Sequence, residues 1–207
     1  MLTSKFNKLS YSKFQCVAWA CLVVAAMSAS AAGQGDPLKK QARDNTQVKY
    51  DPFSGETTIT MPPQIILSDD SNRLSMTAEA KIPKDLSERT LREQDIKATL
   101  TFVTWTPKGF DLGDDQLHFL ADGEQIPVGY AGGGARLPFS TGDKQLRVGE
   151  NIITIASLTT LQRVASGSDV QMRLGQLKVS IDSKVLSALR RFLDACRHQQ
   201  TKRNQIR

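Results

Sequence analysis

A chain of 207 residues, 40% hydrophobic and 23% charged, is long enough for one ordinary domain with a buried core. With only three cysteines it is not a disulfide-stapled scaffold. The formal charge of +6 is unevenly placed: Lys5, Lys8 and Lys13 carry +3, and Arg190, Arg191, Arg197, Lys202, Arg203 and Arg207 against Asp194 carry +5, which leaves residues 32–189 at about −2. A body of that charge argues against a specific nucleic-acid surface on it.

The first 31 residues read as a cleavable export signal. Basic residues lead, an apolar run from Cys16 to Met27 follows, and Ala29 and Ala31 supply the small residues of an A-x-A cleavage site. The apolar run is short for a bilayer span, which needs about 20 residues. The alternatives are a retained N-terminal anchor and acylation at Cys21. Cleavage after Ala31 removes Cys16 and Cys21 and leaves Cys196 as the one thiol, so no internal disulfide is expected. The expected location is periplasmic or secreted, with no transmembrane span after cleavage.

Residues 32–47 are polar, with Gly33, Gly35, Pro37, Lys39, Lys40 and Arg43, and read as a linker. The β domain is expected over residues 48–181. Its clearest strand is 74–82, where Leu74, Met76, Ala78, Ala80 and Ile82 alternate with polar residues. Ile96, Ala98, Leu100 and Phe102 repeat the pattern. A two-residue period with one wet face predicts antiparallel strands.

Weaker patterns predict strands at 56–61, 64–67, 117–120, 125–130, 145–148 and 151–157. Pro62-Pro63, Asp69-Asp70 and Gly132-Gly133-Gly134 read as breaks between elements. Asp122-Gly123 reads as a two-residue hairpin turn. Between Val170 and Ile181 the apolar residues change phase at Gly175-Gln176, which predicts a hairpin there, with a single bulged strand as the alternative. The polar insertion 84–95 adds at most an exposed helical turn.

Two helices are expected. A short one covers 160–166, with Leu161, Val164 and Ala165 facing inward. A longer amphipathic one covers 182–198, capped by Ser183, with Val185, Leu186, Leu189, Phe192, Leu193 and Cys196 on its apolar stripe. Residues 199–207 read as a basic tail. The fold class that follows is mainly β: an antiparallel sandwich or open sheet with the C-terminal helix packed on it, a closed barrel being the alternative.

Reactive chemistry is sparse. His118, near Asp111, Asp114, Asp115 and Asp122, is the candidate general base of a hydrolytic site, or a metal ligand. The spacing of those aspartates is not that of a calcium loop, and turn acids explain them better. Ala165-Ser166-Gly167-Ser168 is only loosely like a nucleophile elbow, and Cys196 on an apolar stripe reads as a packed thiol. Gly129-Tyr130-Ala131-Gly132-Gly133-Gly134 lacks the Lys-Ser/Thr ending of a phosphate loop and reads as a hairpin connection.

No catalytic residue, cofactor or metal is assigned. The binding candidates are Trp105, at an expected strand end, and Tyr130 as aromatics, and Arg190, Arg191 and Arg197 as an anionic-surface patch. The leading functional expectation is a non-enzymatic binding or structural module of the cell envelope, with another envelope protein as partner.

Overall fold

The computed structural model describes residues 46–83, 92–107, 116–140 and 146–205. They form β1 (Gln47–Asp51), β2 (Glu56–Ser68), β3 (Arg73–Pro83), a 3-10 turn (Glu93–Asp95), β4 (Lys97–Thr106), β5 (Gln116–Ala121), β6 (Glu124–Tyr130), β7 (Gly132–Ser140), β8 (Leu146–Ser157), α1 (Leu158–Ser166), β9 (Val170–Leu174), β10 (Leu177–Ile181) and α2 (Ser183–Gln205). The export signal, nearly all of the polar linker, and Asp111, Asp114 and Asp115 lie outside the described residues, as does most of the insertion 84–95.

The strands make two antiparallel sheets, one in the order β1-β2-β3-β4-β8-β7 and one in the order β10-β9-β5-β6. Neither closes on itself, so the fold is an open two-sheet arrangement with a C-terminal helix and not a barrel. Cross-strand rows explain the core. Met76, Phe102 and Ile152 lie side by side on one face, as do Ala80, Ala98 and Ala156, and all six are buried. On the second sheet Leu117, Phe119, Ala121, Val170, Met172 and Leu174 point inward. α2 packs on β2, β3 and α1, while β6 of the smaller sheet meets β8 of the larger one.

The helix ends follow from local chemistry. Ser157, the last residue of β8, accepts the backbone N–H of Thr160 at 3.0 Å, so the strand turns directly into α1. At α2 the cap is Asp182 and not Ser183: its Oδ1 accepts the N–H of Val185 at 2.8 Å, and Ser183 is already the first helical residue. α2 also continues to Gln205, so most of the stretch expected as a tail is helical.

Three strand expectations are corrected. Pro62 and Pro63 do not divide two strands. They lie inside β2, where the pairing to β3 slips between Met61 and Gln64, so the missing N–H groups fall where the ladder is already interrupted. The buried Gln64 side chain donates to the Pro62 carbonyl at 2.9 Å and satisfies an oxygen that the bulge takes out of the regular ladder. Residues 145–148 and 151–157 belong to one strand, β8. The glycine run is not a loop: Gly132 and Gly133 begin β7 and pair with Ile153 and Ile152.

The two hairpin expectations hold. Ala121 pairs with Glu124 across Asp122 at φ 49 and Gly123 at φ 86, the left-handed pair that a tight two-residue turn requires. Leu174 pairs with Leu177 across Gly175-Gln176.

Candidate functional site

The inward faces of β3, β4, β5, β8 and β9 are taken up by the core, so among the described residues a site is sought on the outer faces, the edges and the helix surface. Pairing between strands puts three rows on the outer face of the six-stranded sheet: Ser75, Val103 and Asn151; Thr77, Thr101 and Ile153; Glu79, Thr99 and Ile155. Ile65 extends the first row through its pairing with Ser75. Ile153 and Ile155 are 42% and 58% exposed. Part of this exposure has a local cause: the residue of β7 opposite Ile153 is Gly132, which has no side chain to lay over it. The sequence places both isoleucines in the weakly patterned strand 151–157 without singling them out, and the glycine run that opens β7 reads there as a hairpin connection.

Trp105 belongs to this same face. It lies half-buried near the end of β4, paired with Arg73 on one side and Gly149 on the other. Tyr130 ends β6, and its side chain lies outside the described residues. The sequence candidates Trp105 and Tyr130 therefore fall on strands of different sheets.

The arginine candidates divide. Arg190 Nε donates to the Ala165 carbonyl at 2.7 Å and its guanidinium reaches the Gly167 carbonyl at 3.4 Å, so a cation holds the C-terminal end of α1, where carbonyls lack helical partners and the dipole is negative. Arg197 donates to Glu93 at 2.5 Å and to Gln162 at 2.7 Å, which ties α2 to the 3-10 turn and to α1. Both serve internal docking. Arg191 is exposed on α2.

His118 sits half-buried on the outer face of the four-stranded sheet, paired with Arg173, and the amide of Gln125 lies 3.1 Å from its Nδ1. Asp122 does not join it. Its carboxylate instead accepts the backbone N–H of Ser168 at 3.0 Å, the Ser168 hydroxyl at 2.8 Å and the N–H of Asp169 at 2.9 Å, clasping the β5–β6 turn to the α1–β9 connection. Among the described residues no three His, Cys, Asp or Glu side chains converge as metal ligands.

These bonds, the Asp169 N–H foremost and then the Ser168 hydroxyl and N–H, lower the Asp122 carboxyl below its ordinary 3.8. A group depressed in the folded state stabilises the fold above its ordinary value and loses that contribution as pH falls through the lowered one. Asp51 and Asp69 are lowered in the same way by their turn hydrogen bonds. Asp122→Asn keeps a side chain that tolerates the left-handed turn but removes the charge. The expected result, read by thermal melts across pH, is a variant less stable than the parent near neutrality whose difference from it shrinks in acid.

One buried feature, Glu150, goes unassigned in the sequence, whereas Cys196 reads there as a packed thiol. Glu150 is 4% exposed on the core face of β8, with the Thr104 hydroxyl at 3.5 Å and Thr106 and Thr154 also buried on that face. Its even spacing with Ile152, Thr154 and Ala156 marked it as inward-facing. Cys196 is fully buried and free, and burial pushes its thiol up to about 12, so it stays protonated and unreactive at neutral pH.

No helix among the described residues is long and apolar enough to cross a membrane. Comparison with family models, with curated proteins and with solved structures gives no match to this chain.

Proposed function

We propose that the protein is an exported, non-enzymatic binding module of the cell envelope and that it engages a partner protein through the outer face of its six-stranded sheet. The observation that carries this reading is the pair Ile153 and Ile155, bare on a face of β-branched residues with Trp105 at its end. Exposed aliphatic side chains grouped on one rigid surface, with charges such as Glu79, Lys81 and Lys97 around them, resemble the apolar centre and polar rim of a protein contact. A photo-crosslinking residue at position 155 should trap a partner in envelope preparations. The same residue at position 120, on the outer face of the other sheet, should not. Equal trapping at both positions would remove the outer-face reading.

Export rests on the order of basic, apolar and small residues in the first 31 positions, and the thiol inventory tests it. Protein recovered from the producing cells should titrate one thiol per chain, and only after denaturation, because Cys196 is buried. Three thiols, with Cys16 and Cys21 still present, would mean that the leader is retained.

A further inference from the structure

We infer that β1 is a self-pairing edge through which two copies of the chain join their six-stranded sheets antiparallel. β1 is outermost in its sheet, and none of its five side chains is buried. Val48 and Tyr50, 47% and 50% exposed, continue the core-side face of Ile59 and Ile82 through their pairing with β2 and β3. The other sheet edges are guarded. β6 carries Pro127 and β7 carries Pro138, each lacking an N–H for a new ladder, and β10 lies against β2 of the opposite sheet. β1 has no proline, so its outward-facing N–H and C=O groups are complete, the usual liability of an edge strand.

Charge selects the occupant and the register. A lone edge lysine such as Lys49 ordinarily discourages pairing, but Asp51 stands two residues on, on the same face of the strand. In a two-fold antiparallel pair centred on Tyr50, Lys49 of each copy lies opposite Asp51 of the other, and the two Tyr50 rings face each other. Centring on Lys49 instead sets lysine against lysine. Opposite charges and aromatic pairs directly across a ladder are favourable and like charges unfavourable, so the sequence Val48-Lys49-Tyr50-Asp51 is complementary to itself in one register. This pairing is independent of the outer-face contact proposed above, because it uses the edge of the sheet and leaves Ile153 and Ile155 exposed.

The test is the concentration dependence of mass for the protein purified after expression of the full chain, measured by sedimentation alongside Lys49→Glu and Asp51→Lys. Each variant alone sets like charges opposite each other and should self-associate roughly tenfold to a hundredfold more weakly than the parent. An equal mixture of the two should associate again, since the introduced glutamate of one chain then faces the introduced lysine of the other, and the unchanged Asp51 of the first faces the unchanged Lys49 of the second. Asp51 also accepts the Phe53 N–H and the Ser54 hydroxyl in the turn, each at 2.9 Å, so Lys49→Glu, which spares those bonds, decides the matter if Asp51→Lys does not fold. A parent that stays monomeric at all concentrations, or a dimer that Lys49→Glu leaves unchanged, would overturn the inference.

Discussion

Phe192→Ala is expected to destabilise the fold by about 3–5 kcal/mol, the range for removing a large aromatic from a core that cannot collapse around the space. Phe192 is completely buried at the centre of the α2 stripe formed by Val185, Leu186, Ala188, Leu189, Leu193 and Cys196. These residues press on β2 and β3, and the same helix braces α1. The cavity therefore opens at the junction of the helices with the larger sheet, where cross-strand pairing on both sides resists inward movement. Urea unfolding should show a lower midpoint with an unchanged slope, the signature of lost stability without a change in the surface exposed. A loss below about 1 kcal/mol would mean that α2 is not seated in the core, because surface substitutions fall in that range.

The second large effect is expected from the smallest substitution. A methyl group added at Gly167 would stand 2.8 Å from Val170 Cγ2, 3.0 Å from Ala121 Cβ and 3.4 Å from the Val164 carbonyl. The backbone there has φ −64, which any residue adopts, so the cost of Gly167→Ala is steric and not conformational. Ala121 and Val170 are themselves a cross-strand pair of β5 and β9; Ala121 has no rotamer to change, and Val170, 1% exposed, can turn only against the packed core. Overpacking of this kind costs about 1–3 kcal/mol, or roughly 2–4 °C of melting temperature for each kcal/mol in a protein of this size. It would also disturb the carbonyl to which Arg190 reaches. A Gly167→Ala protein that melts with the parent would show that the corner between α1 and β9 has more room than this geometry gives it.

The sequence was legible where a side chain had to choose between core and water. β3 and β4 alternate cleanly because each has one buried and one wet face, and the Asp122-Gly123 turn was readable because few residues accept its backbone angles. Legibility failed where side chains carry no such choice. Gly132 and Gly133 have none to alternate, so the start of β7 resembled a loop, and Pro62-Pro63 resembled a break because the bulge that accommodates them is a property of two strands together. The same limit governed the site. Trp105 stands out in the sequence as an aromatic near a strand end, but Ile153 and Ile155 become notable only once their exposure on the folded sheet is seen. Arg190 and Arg197 looked like a surface patch because their partners, Ala165, Gly167, Glu93 and Gln162, are brought to them only by the packing of α1 and the 3-10 turn on α2.

The central claim, a protein contact through the outer face of the six-stranded sheet, is tested most directly by affinity capture from the cell-envelope extract at low and moderate salt. The parent would be compared with Ile153→Lys/Ile155→Glu and with Arg191→Gln/Lys202→Gln. The account predicts that one specific protein is retained by the parent and by the arginine–lysine variant at both salt concentrations and is lost with the isoleucine variant, which should still melt cooperatively because both positions face solvent. Capture that survives the isoleucine changes but disappears with salt or with Arg191→Gln/Lys202→Gln would contradict it and assign binding to the basic surface of α2.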